Sequence, residues 1–197
     1  MKMVKRAEAV AATRQKILTN ADRLLAEKGY QAMSIVDITK ASGIAKGTFY
    51  NYFETKEDLL LALSKKHLKP LMTSIPDLAV ADPQTSIQTY LVHYLQVVVD
   101  SGEQMARQWI RFVVDPKNHQ KWEFDLDALA ELIQQLVTMG KLTVNTPVKN
   151  LSTLLVTQIY GIVFSWCISP ATVDPIVSVN SFCDLQLAAI LQPYQVD

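Results

Sequence analysis

At 197 residues, with 49% hydrophobic residues, 6 Gly and 8 Pro, the chain has the composition of a packed globular protein, which excludes collagen-like and disordered classes. Its 19 basic and 19 acidic residues cancel, yet residues 1–67 hold 12 Lys and Arg against 7 Asp and Glu, and residues 68–197 hold 7 against 12. A net +5 segment therefore precedes a net −5 remainder, and the basic part is where a nucleic acid would sit.

Lys2, Lys5 and Arg6 read as a loose basic arm able to lie along a DNA backbone or reach a minor groove. Arg14 and Lys16 interrupt the chain before the apolar run of a secretory leader can form, so the cytoplasm is the expected compartment. Ile17, Ala21, Leu24 and Leu25 recur at helical spacing and predict an amphipathic first helix. Gly29 is its expected left-handed C-cap, after which Tyr30 packs back. Ser34-Ile-Val-Asp37 has the spacing of a capping box and starts a short second helix, which Ala41-Ser42-Gly43 turns. Ile44 to Phe53 returns to apolar spacing and predicts a third helix set across the second.

Thr55-Lys-Glu-Asp58 repeats the capping logic before a fourth helix that Pro70 should end or kink. The tract Pro76 to Pro83 is the most break-like stretch. Beyond it, helical periods fall at about Thr85 to Ser101, Gln104 to Asp115, Glu123 to Gly140, Pro147 to Ile168 and Val179 to Gln192. Gly140 suits a C-cap and Pro147 a first helical turn. No segment reads as a strand, so the fold expected is all-α. Leu151 to Val173 carries no charge and is long enough to span a bilayer, but Ser152, Thr153, Thr157, Gln158 and Ser165 within it favour a helix covered by protein over a membrane partner.

Ile38, Ala41, Ile44 and Phe49 are small or apolar around the Gly43 turn, which suits a helix-turn-helix whose second helix points outward. The expected DNA-contacting set is Ser34, Lys46, Gly47, Thr48, Tyr50, Asn51, Tyr52 and Lys56. Lys46 supplies a cation for phosphate or guanine, Thr48 a methyl for thymine and Asn51 an amide for adenine. Gly47 permits close backbone approach, Tyr50 and Tyr52 offer phenols, and Lys56 adds charge at the next helix start.

The run from Ile17 to Leu63, with EKGYQAMSIVDITKASGIAKGTFYNYFETKEDLL at its centre, resembles the TetR (tetracycline-repressor) family in both order and spacing. The resemblance implies a homodimer, probing a near-palindromic operator with an N-terminal three-helix helix-turn-helix domain and holding a small effector in a C-terminal helical domain. Repression relieved by ligand is that family's usual logic, with activation as the alternative. Residues 1–67, with the motif at about 34–53, form the expected DNA-binding domain, and 68–197 the effector-binding and dimerisation domain. Thr39 departs from the family's usual alanine, and its hydroxyl must be bonded or turned out.

Expected effector-pocket residues are His93, Met105, Trp109, Phe112, Tyr160 and Phe164. The last two helices are poor in charge, so Leu155, Gln158, Ile159, Ile162, Phe182, Leu185 and Leu187 are the expected dimer interface. His67, His93 and His119 show no metal-ligand spacing, and Cys167 and Cys183 read as reduced core thiols. Glu123, Asp125 and Asp127 read as a solvated helix start. No catalytic pattern, cofactor motif or metal site is expected. The competing reading is a helical ligand-binding or adaptor protein without DNA contact.

Overall fold

A computed structural model describes residues 2–196, with the side chains of residues 2–5 outside the described set. The chain divides into two compact units, Met1–His67 and Leu68–Asp197. Among the described residues there is no strand; Leu142 and Gln195 form an isolated antiparallel bridge.

The first unit holds α1 (Lys2–Ala32), α2 (Ile35–Ser42), α3 (Lys46–Tyr50) and the start of α4 (Lys56–Thr73). Ile17, Leu18, Ala21 and Leu24 of α1 meet Ile38, Phe49, Phe53, Leu59 and Leu63 in one buried cluster, as the helical spacing requires. Helix α1 starts at Lys2, so the backbone of the expected basic arm is helical rather than loose. The Arg6 side chain is exposed, while those of Lys2 and Lys5 lie outside the described residues.

Gly29 has the positive φ predicted for it, but at φ 75° and ψ 166° it lies outside the left-handed helical region and in territory essentially reserved for glycine. The chain breaks there and adds a further turn through Ala32. Asp22 of α1 anchors α4 through Lys66 at 2.7 Å and His67 at 2.8 Å.

The second unit comprises the end of α4, α5 (Ile75–Leu78), α6 (Pro83–Asp100), α7 (Glu103–Val113), α8 (His119–Thr138), α9 (Val148–Ile168), α10 (Pro175–Phe182) and α11 (Ala188–Leu191). A π-type turn at Cys183–Leu187 joins α10 to α11 with helical backbone throughout. Pro70 does not end α4, which runs on to Thr73. Nor is Pro76 to Pro83 a domain break: α5 occupies part of it, and Ile75 and Ala79 are buried in the second unit's core. Lys141 holds the turn after α5 by donating to the carbonyls of Ala79, Val80 and Ala81.

Helix α9 is the one helix of the described residues with the length and composition to cross a membrane. Here Leu151, Leu155, Val156, Ile159 and Val163 pack into the core beside Leu129, Leu132 and Leu136 of α8. Cys167 and Cys183 are buried free thiols, and burial pushes the Cys183 pKa up to about 11.

Candidate nucleic-acid interface and effector site

Helix α2 is fixed at both ends. Ser34 accepts from the Asp37 amide at 3.1 Å while the Asp37 carboxylate accepts from the Ser34 amide at 2.9 Å, the reciprocal pair the spacing predicts. Asp37 also pairs with Lys28 at 2.8 Å, and these donors hold its carboxyl well below the usual range. At the other end Gly43 adopts φ 58° and ψ 40°, and its amide bonds back to the Lys40 and Thr39 carbonyls. The buried Thr39 donates to the Val36 carbonyl at 3.0 Å, so its hydroxyl is satisfied inside the helix.

Helix α3 is shorter than predicted, with Asn51 and Tyr52 in the turn that follows it. Phe49 is fully buried and stacks 5.6 Å from Phe53, which locks the rotation of this single turn. With that face inward, Lys46, Gly47, Tyr50 and Asn51 are exposed, and Thr48 and Tyr52 are half-buried. Nothing lies within 4 Å of where a Gly47 side chain would begin, so the surface at Gly47 is open. Lys40, at the end of α2, is exposed as well.

Two members of the expected set are engaged inside the unit. The Ser34 hydroxyl donates to Asp37 at 2.6 Å, so its proton is committed to the cap. The Lys56 ammonium donates to the Tyr30 carbonyl and sits 3.9 Å from the Tyr30 ring centre, and burial lowers its pKa. Tyr30 in turn donates to Glu57 at 3.0 Å.

The second unit contains a buried polar cluster that sequence reasoning missed. Asp125, expected at a solvated helix start, lies within α8 with its side chain 2% exposed, paired to Lys121 at 4%. Tyr94 of α6 donates to Asp125 Oδ2 at 2.9 Å and Tyr160 of α9 to the same oxygen at 2.6 Å. Burial and then the Asp125 charge raise the pKa of both phenols, so both remain protonated donors. Trp122 meets Tyr160 edge to face at 5.2 Å, and the Trp109 ring centre lies 5.9 Å from the Lys121 ammonium. The available signal was Lys121 and Asp125 four apart on α8 with Tyr90 and Tyr94 four apart on α6.

Of the expected pocket residues, Tyr160 belongs to this cluster and Trp109 borders it. Met105 and Phe112 are buried, and Phe112 meets Trp109 edge to face at 5.7 Å. His93 and Phe164 are exposed, so neither lines the interior of the unit.

Of the expected interface residues, only Leu185 is exposed. Leu155, Ile159, Ile162, Phe182 and Leu187 are buried in the chain's own core, Gln158 is half-buried, and Leu185 is 79% exposed. The apolar side chains left in solvent are instead Leu154, Phe164 and Ile168 on α9 and Val177 and Leu185 on the helix from Pro175. With Thr157 and Gly161, the α9 residues form one stripe at helical spacing.

Residues 17–63 match the family described as bacterial regulatory proteins, tetR family. That match spans the helix-turn-helix and the start of α4, so it is this N-terminal segment of the chain that is similar to the TetR family. It is 32% identical over 96 residues to the TetC protein of transposon Tn10 from Escherichia coli, a match covering 47% of this chain and 48% of TetC. It is 23% identical over 175 residues to the regulator AcrR of Shigella flexneri, covering 82% of this chain and 81% of AcrR. The chain thus spans about half of TetC and four fifths of AcrR. A similar fold is found in Thermus thermophilus FadR, a TetR-family transcriptional repressor solved with lauroyl-CoA, at a TM-score of 0.75 and 20% identity over 90% of this chain and 95% of FadR.

Proposed function

We propose that this chain is a ligand-responsive transcription regulator of the TetR family, a repressor that binds a near-palindromic operator as a homodimer. The observation that carries the reading is the single turn of α3, where burial of Phe49 leaves Lys46, Gly47, Tyr50 and Asn51 exposed together on a capped helix-turn-helix. Those side chains suit a major groove: Lys46 for phosphate or guanine, Asn51 for adenine, and the Tyr50 phenol for a phosphate. Lys40 adds a second exposed cation nearby in sequence. Lys56 and Ser34 contribute by shaping the motif, since their polar groups are engaged on Tyr30 and Asp37.

Residues 1–67 bind DNA, and 68–197 dimerise and bind the effector. The exposed stripe of Leu154, Thr157, Gly161, Phe164 and Ile168 supports an isologous interface, whose stability calls for roughly 2,000 Å² of burial or more. Two copies then read half-sites about one helical turn apart, roughly 34 to 36 Å. An effector that binds the DNA-incompetent form more tightly depletes the competent one in proportion to its differential affinity. The protein acts where the chromosome is, in the cytoplasm.

Fluorescence anisotropy of the purified chain on labelled DNA from upstream of its own gene tests this. Saturable binding that unlabelled upstream DNA competes away and unrelated DNA does not is expected. Absence of any such binding by a folded dimer would favour an adaptor that has lost DNA contact.

A further inference from the structure

Three buried side-chain oxygens have no hydrogen-bond partner among the described residues: Ser42 Oγ, Tyr90 Oη and Asp125 Oδ1. The last two lie on α6 and α8, which the Tyr94–Asp125 hydrogen bond joins. Tyr90 is 1% exposed and one turn from Tyr94 on α6, and the Asp125 charge adds to burial in raising the Tyr90 phenol's pKa. Asp125 is lopsided: Lys121, Tyr94 and Tyr160 all donate to Oδ2, and none of them serves Oδ1. A buried acceptor and a buried hydroxyl left unpaired each forfeit a hydrogen bond that water supplies in the unfolded chain, so the arrangement is costly unless something else completes it.

We propose that Tyr90 and Asp125 form the polar end of the effector site and take an uncharged aromatic molecule through a single hydroxyl group. A ligand hydroxyl is both donor and acceptor, so it can donate to Asp125 Oδ1 while accepting from Tyr90, answering both orphaned atoms at once. Charge argues for neutrality. The Lys121–Asp125 pair already balances, so a cationic or anionic ligand would bring an uncompensated charge into a buried site. The Trp109 indole beside Lys121 and the ring of Tyr160 favour an aromatic body. This assignment rests on the ligand-responsive reading above.

The test uses the whole 197-residue chain and three probes that share a para-ethylphenyl body, para-ethylphenol, the near-isosteric para-ethyltoluene and the anionic para-ethylbenzoate, titrated by calorimetry against the parent and Tyr90→Phe. The phenol is expected to bind the parent roughly tenfold or more tightly than either analogue, and Tyr90→Phe to weaken the phenol by roughly tenfold while leaving the toluene unchanged. The free Tyr90→Phe protein should melt at or above the parent's temperature, because the deleted hydroxyl has no partner in the protein. Equal binding of phenol and toluene, or no phenol binding up to its solubility limit, would overturn the proposal. So would a lower melting temperature for free Tyr90→Phe, which would mark the hydroxyl as held by a structural water. Anisotropy on upstream DNA, run in parallel, separates the two claims: DNA binding without phenol binding sinks this site alone, and phenol binding without DNA binding sinks the regulator reading alone.

Discussion

Removing the Lys121 charge is the sharpest test of how the second unit is built. Lys121→Met keeps the stem's volume and leaves Asp125 with its side chain 2% exposed and no counter-charge. Breaking a buried pair in this way costs about 3–5 kcal/mol. Tyr94 and Tyr160 still donate to Oδ2 at 2.9 and 2.6 Å, which places the expected loss near the lower figure. About 3 kcal/mol is roughly a hundredfold in the folding constant and a large part of a typical domain's total of about 5–15 kcal/mol.

Replacing the whole group with apolar side chains, as Lys121→Met, Asp125→Leu, Tyr94→Phe and Tyr160→Phe together, should return stability to within about 1 kcal/mol of the parent. Urea unfolding followed by circular dichroism, at one fixed protomer concentration because a dimer's stability depends on it, measures both. A Lys121→Met loss below about 1 kcal/mol would refute the reasoning, since it would mean that Asp125 is solvated or otherwise compensated.

Other consequences follow from single residues. Gly43→Ala forces a β-carbon into φ 58°, and since the nearest atom, Lys16 Nζ, would be a comfortable 3.6 Å away, backbone strain alone should cost about 1–2 kcal/mol in urea unfolding. Asp37 has its pKa lowered by Lys28 and Ser34, so the stability it lends is present above its ordinary value of 3.8 and lost as pH falls below that value. Asp37→Asn should therefore be less stable than the parent at neutral pH and show a flatter acid limb in melts from pH about 6 down to about 2. Gly161→Arg enters an open face of α9, where a β-carbon would meet nothing within 4 Å; light scattering should report a monomer with the parent's helicity, and an intact dimer would move the interface elsewhere.

Features set by neighbours in the chain were readable from sequence. The Ser34–Asp37 cap and the Gly43 turn each need a few adjacent residues, and both take the expected form. The Thr55–Asp58 cap is formed as well, with amide bonds of 2.9 and 3.0 Å. What depends on distant packing was not readable. Lys121 and Asp125 look like an ordinary exposed pair one helical turn apart until Tyr94 and Tyr160, 31 and 35 residues from Asp125, close over it. Helix α9 is apolar nearly all round, so periodicity could not say whether Leu155 or Leu154 faces the chain's own core. The two registers differ by one residue, or about 100° around the helix, enough to exchange core and surface. Gly29 and Lys56 show the same limit on a smaller scale: the residue types were informative, but the ψ of one and the Tyr30 partner of the other depend on how the chain returns.

The account depends most on α3 being the element that meets DNA. Anisotropy titrations of the parent and Lys46→Ala on the same upstream duplex, across a series of salt concentrations, address this directly. The account predicts uniformly weaker binding for the variant and a log-affinity against log-salt slope shallower by about one, the signature of one lost phosphate contact. A variant that keeps the parent's affinity and slope while remaining a folded dimer would contradict it.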